Sequence, residues 1–90
     1  MSQSFGDFVG QTVVVDVDGP MVYLGRLAGV TAEFLTLEDV DVHNLADSAT
    51  SRERYLIDAK KLGIRPNRKQ AQVRLARVVG VSRIEDVIAF

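Results

Sequence analysis

The chain has no cysteine and a single histidine, His43, in 90 residues. The absence of thiols excludes disulfides, thiolate zinc centres and thiol nucleophiles, and it fits a reducing, cytoplasmic setting. One imidazole leaves little capacity for acid–base chemistry near neutral pH. No apolar run approaches the roughly 18 residues that a membrane span needs. The opening Met1-Ser-Gln-Ser4 lacks the basic and apolar regions of a secretory signal. Neither a G-x-x-x-x-G-K nor a G-x-G-x-x-G phosphate loop is present. Ser2, Ser4, Ser48, Ser51 and Ser82 have only His43 as a candidate base, and it falls in an expected loop. No enzymatic activity, cofactor, small-molecule substrate or membrane partner is therefore expected.

What is present is an ordinary globular composition, 47% hydrophobic and 26% charged. Residues 1–90 make one small domain, with no room for two cores. The net charge of −1 hides a segregation. Residues 1–51 carry one base and eight acids, and residues 52–90 carry ten bases and four acids. Between Lys60 and Arg83 there are eight bases and no acid: Lys60, Lys61, Arg65, Arg68, Lys69, Arg74, Arg77 and Arg83. A field of that sign suits a polyanion, an acidic face on a neighbouring copy, or plain solvation.

Asp39, Asp41 and His43 alternate, so a continuous strand would place them on one side as a possible hard-cation or zinc site. No fourth ligand stands at a useful spacing. The expectation is a solvated face, with no metal bound.

Ser4 and Asp7 have the spacing to cap a short N-terminal helix that carries Phe5, Phe8 and Val9 on one face and stops at Gly10. Thr12–Val17 is β-branched and predicts a strand. Asp18-Gly19 marks a tight hairpin turn. Met21–Ala28 is the second strand, interrupted by Gly25, and Phe34–Val42 is the third, with Leu35 and Leu37 on one side. Thr50-Ser-Arg-Glu53 has capping-box spacing before a helix that ends at Gly63, with Tyr55, Leu56, Ala59 and Leu62 as its apolar stripe. Ala71 to about Arg83 reads as one long strand that bends at Gly80, and Val87–Phe90 as a short last one. Five short strands in so small a chain favour a mainly β, strongly bent antiparallel barrel over a flat sheet, because closure removes exposed edges.

At this point the chain resembles the Sm-like (LSm) family. The resemblance runs through Val13-Val-Val-Asp-Val-Asp-Gly19, Tyr23-Leu-Gly25-Arg-Leu27 and Phe34-Leu-Thr-Leu37-Glu-Asp39, and more loosely through Ser82–Phe90. It treats residues 43–72, with their helix, as an insertion between strands 3 and 4. It implies a five-stranded barrel that closes into a homo-oligomeric ring of roughly five to eight subunits. In such rings the fourth strand of one subunit pairs with the fifth of the next.

The resemblance also implies binding of single-stranded, often uridine-rich, RNA. Thr31 stands near the family's aspartate position, Glu33 or Phe34 near its asparagine, and Arg83 at its second-motif arginine, with Ile84 in place of the adjoining glycine. Arginine planes and Phe34 can stack on any base. Lys60, Lys61, Arg65, Arg68 and Lys69 would neutralise phosphates. The expected function is RNA binding by a ring, as a chaperone or ribonucleoprotein scaffold. The alternative is a ring that serves as a structural or protein-interaction module without nucleic acid.

Overall fold

The computed structural model describes residues 5–47 and 49–88. A 3₁₀ turn, Phe5–Phe8, precedes β1 (Thr12–Val17), β2 (Met21–Val30) and β3 (Phe34–Asn44). A second 3₁₀ turn at Leu45–Asp47 leads to α1 (Arg52–Leu62). Then come β4 (Arg68–Arg74), a 3₁₀ turn at Leu75–Arg77, β5 (Val78–Arg83) and a last 3₁₀ turn at Ile84–Asp86. The five strands form one antiparallel sheet in the order β4-β3-β2-β1-β5.

That order forces curvature. In a flat sheet the outermost strands would lie about 19 Å apart, four spacings of 4.7–4.9 Å. The chain passes from the end of β4 at Arg74 to the start of β5 at Val78 in four steps, which reach at most about 14 Å. Two backbone bonds hold the crossing: Leu75 N donates to Glu33 O at 2.8 Å, and Asp18 N donates to Arg77 O at 3.0 Å. The sheet therefore curls until its two edges approach at this corner. It stays open, because β4 pairs only with β3 and β5 only with β1. The expected closed barrel is thus a curled, open sheet.

All five strands feed a core on the inside of the curl. Val13, Val15, Leu27, Leu35, Leu37, Val40 and Val73 are buried there with Phe8, and Val78 and Val81 of β5 pack against them. In β3 the inward set is 35, 37, 40, 42, so the phase slips by one. The slip falls at Asp39, whose φ of 51° is the sole positive value at a non-glycine among the described residues. Opposite it the β2–β3 register shifts between Leu24 and Arg26. Gly25 lies in this shift because a Cβ there would come within 3.1 Å of Glu38 O and 3.3 Å of the Val40 backbone. The interruption that Gly25 makes in the β2 sequence pattern coincides with this shift and close approach.

Outside the curl, α1 covers β1 and β2. Leu56 and Ala59 pack on Val14, Val22 and Leu24. Val13–Val15 is thereby buried on both faces, which explains its unbroken apolar run. Ser51 is the N-cap, its Oγ accepting from Arg54 N at 3.2 Å, so the cap lies one residue after Thr50. Gly63, at φ 91°, ends the helix, as expected. The buried stripe is Leu56, Ile57 and Ala59, with Tyr55 half-buried, while Leu62 is 80% exposed. Arg52 pairs with Asp16 of β1 and pins the start of the helix.

Three further expectations need correction. The N-terminal helix is a 3₁₀ turn, and its proposed cap, Ser4, lies outside the described residues. The single long strand at 71–83 is two strands broken at Leu75–Arg77, and Gly80 continues β5 opposite Asp16. The short last strand is absent at Val87 and Ile88, which follow the Ile84–Asp86 turn, and Ala89 and Phe90 lie outside the described residues.

Candidate nucleic-acid interface

Thr31–Glu33 turns the chain from β2 into β3. Thr31 N donates to Phe34 O at 2.8 Å, and Thr31 Oγ1 accepts from Glu33 N at 3.3 Å and from Phe34 N at 3.1 Å. The hydroxyl stands in for a backbone acceptor, so Thr31 shapes the turn rather than offering a free donor to a ligand. The Leu75–Glu33 bond draws the end of β4 against this turn. Phe34 and Arg74 are cross-strand partners, and the Arg74 guanidinium carbon lies 5.3 Å from the Phe34 ring centre. A recess of about 230 Å³ opens beside them, lined by Ala32, Glu33, Arg74, Leu75 and Ala76. A cation plane over a half-exposed ring at a surface recess is a stack that another flat π-system can extend.

Of the residues expected at an RNA site, Thr31, Glu33 and Phe34 come together here, and Arg83 does not. Arg83 ends β5 opposite Val13. Its guanidinium covers the Phe8 ring at 5.3 Å, donates through Nε to Gln11 Oε1 and approaches Asp86 Oδ2 at 3.6 Å. It lines a different recess, of about 510 Å³, with Gln11, Thr12, Ile84 and Glu85. The arginine that precedes the turn into the last strand is Arg74, because that strand begins at Val78.

The eleven Lys and Arg residues divide cleanly. Five meet carboxylates: Arg26 with Glu38 at 3.0 Å and Asp39 at 3.3 Å, Arg52 with Asp16, Arg54 with Asp58 at 3.2 Å, Arg77 with Asp18 at 2.5 Å, and Arg83 with Asp86 at 3.6 Å. The hydrogen bond that Arg26 donates to Glu38 holds its guanidinium above its usual range, and the bond that Arg77 donates to Asp18 does the same there. Both pairs lie in water, where such pairs add little stability.

The other six are consecutive among the cations: Lys60, Lys61, Arg65, Arg68, Lys69 and Arg74. None has a carboxylate partner among the described residues. Lys60 Nζ donates to Val87 O at 2.5 Å, and Arg68 Nη1 to Asn67 O at 2.9 Å. Lys61, Arg65 and Lys69 are exposed and have no hydrogen-bond or ion-pair partner among the described residues.

A polar cluster fastens the insertion to β3. Tyr55 Oη donates to Asp41 Oδ2 at 2.5 Å, and the His43 ring stacks on Tyr55 at 4.0 Å and 11°. The Asn67 side-chain amide acts as an extra peptide unit for the β3 ladder: Oδ1 accepts from Val42 N at 3.0 Å, and Nδ2 donates to Val42 O at 3.0 Å. Asp39 turns away to Arg26 because of the slip at that residue. Asp39, Asp41 and His43 therefore do not converge.

Burial first, and then the bond to Asp41, raise the Tyr55 phenol above its ordinary value of 10.0. The unfolded chain releases that proton near pH 10 and the folded chain retains it. Above pH 10 the unfolded state thus binds fewer protons and stability falls with pH, while below it this contribution is fully present. Tyr55→Phe is expected to flatten this alkaline decline and to cost about 1 kcal/mol at neutral pH. Urea melts between pH 7 and 11 read both effects, and an unchanged alkaline limb would remove Tyr55 as their source.

Comparison with models of known families and with curated proteins finds no match for this chain.

Proposed function

We propose that the protein is an Sm-like ring subunit that binds single-stranded RNA. The observation that carries this reading is the strand order β4-β3-β2-β1-β5, which leaves β4 and β5 as two open edges of one curled sheet. An open edge is a row of unpaired backbone donors and acceptors that templates another strand. Here the two edges belong to different strands, so pairing β4 of one copy with β5 of the next is head-to-tail, and such a contact closes into a ring when the rotation between copies divides a full turn. Val79, 71% exposed on β5, is the apolar side chain such a neighbour would cover.

The Phe34–Arg74 stack supports the RNA part. It offers a base a flat cationic face, and the six unpaired cations supply phosphate contacts. Thr31 spends its hydroxyl on its own turn and no asparagine stands at this corner, so nothing there reads a uracil edge. Oligo-U and oligo-A are expected to bind within a few-fold of each other, with affinity falling steeply as salt rises. Fluorescence anisotropy with both oligomers at 50 and 300 mM salt measures this. Absence of binding at the lower salt removes the RNA role.

A second reading, a ring that contacts only protein, draws on Arg77–Asp18 and Arg83–Asp86, which take two of the eight bases between Lys60 and Arg83 out of play. The same titration separates the two readings.

A further inference from the structure

We infer that the inserted segment is a second RNA contact, a phosphate track that leads away from the Phe34–Arg74 corner. This rests on the RNA reading and adds to it where the strand goes and what holds it. Carboxylates neutralise every cation outside 60–74 and none inside it, among the described residues. The unpaired positive charge is thereby confined, among the described residues, to one path along the chain: the last turn of α1, the 63–67 connector and β4, where Arg68 and Arg74 share the face of the Phe34 stack and Lys69 alternates to the other. From Arg68 to Arg74 that path covers about 20 Å of strand, room for several nucleotides.

The path is also held in place. Asn67 is tied to β3 by its side-chain amide and by its own N–H to Val40 O at 2.8 Å, which fixes the connector between Arg65 and Arg68. Lys60 is fixed by its bond to Val87 O. Lys61, Arg65 and Lys69 stay exposed and unpaired beside these anchored neighbours. Exposed cations on a fixed backbone attract phosphates without reading bases, so this track adds affinity and salt dependence but no sequence preference. An acidic protein would also meet this charge, but the track ends at a cation–aromatic stack suited to a base, which favours RNA.

The test is Lys61→Gln, Arg65→Gln and Lys69→Gln combined in the full chain, titrated with a fluorescent oligo-U 20-mer over a range of salt. Each phosphate neutralised on a single strand contributes about 0.7 to the slope of log K against log salt. The triple variant is expected to lose about 2 from that slope, and each single variant about 0.7. Arg54→Gln, which removes a cation already paired with Asp58, is expected to leave the slope unchanged. Phe34→Ala is expected to weaken binding at constant slope. A triple variant with the parental slope overturns the track and leaves the RNA function standing. A wild-type protein that binds no oligomer overturns both. The three substituted side chains are exposed and make no ion pair among the described residues, so the far-UV spectrum is expected to match that of the parent.

Discussion

If the proposed ring forms, Val79→Lys is expected to convert it into a 9.9-kDa monomer with an intact fold. Val79 is 71% exposed in the single chain, so a lysine there displaces nothing and leaves the protomer's own core untouched. The same lysine in a strand-to-strand contact must be taken out of water, and lysine on an edge is a standard way in which proteins block such pairing. Charge adds to the effect, because the β4 edge that would face it carries Arg68, Lys69 and Arg74 without carboxylate partners. Each protomer in a ring makes two such contacts, so the penalty applies at every seam. Val79→Ile keeps the apolar surface and is expected to keep the ring. Light scattering on both variants reads the outcome, and a Val79→Lys protein with the parental mass would mean that β5 is not the contact strand.

Leu37→Ala is expected to have the largest effect on folding itself. Leu37 is fully buried at the middle of β3, with Leu27 and Ala71 as its cross-strand neighbours. Its side chain fills the inside of the curl, where all five strands meet. Truncation there leaves a cavity in tightly packed surroundings and costs about 2–5 kcal/mol. A 90-residue domain has about 5–13 kcal/mol in total, at roughly 0.05–0.15 kcal/mol per residue. The midpoint of thermal unfolding should fall by about 10–30 °C. Circular-dichroism melts at a fixed protomer concentration are needed, because the proposed ring would add to apparent stability. A fall of less than about 5 °C would show that Leu37 is not central to the core.

The first half of the chain was legible because its signals are local. Asp18-Gly19 set a hairpin, Gly25 an interruption of β2, and Leu35 and Leu37 one face of β3. The inserted helix was also legible from its ends: Gly63 stops it as expected, and its cap, read at Thr50, is the next residue, Ser51. The stretch from Ala71 to Arg83 was misread because its break has no glycine, proline or turn residue. Leu75-Ala-Arg77 departs from strand only because Glu33 O and Arg77 O bond to N–H groups remote in sequence. One trace of it existed: Val73 and Val78 both face inward five residues apart, an odd spacing that a continuous strand cannot give.

That misreading also moved the arginine matched to the family's second motif. With the last strand placed at 87–90, Arg83 looked like the arginine that enters it; with the strand at Val78–Arg83, that position belongs to Arg74. Thr31, Glu33 and Phe34 were named through the family resemblance alone, and the structure brings them together because all three belong to the turn between β2 and β3. The meeting of Phe34 with Arg74, forty residues away, depends on strand register. The confinement of unpaired positive charge to 60–74 was half visible as a run of bases without acids. Which of those bases find partners depended on where Asp18 and Asp86 lie in space.

The most direct measurement is the mass of the wild-type protein in solution, by size exclusion with multi-angle light scattering at micromolar protomer concentration. Pairing of β4 with β5 around a closed ring requires a single species of roughly five to eight times 9.9 kDa, unchanged on modest dilution. A 9.9-kDa species under those conditions would leave both edges unpaired and contradict the ring.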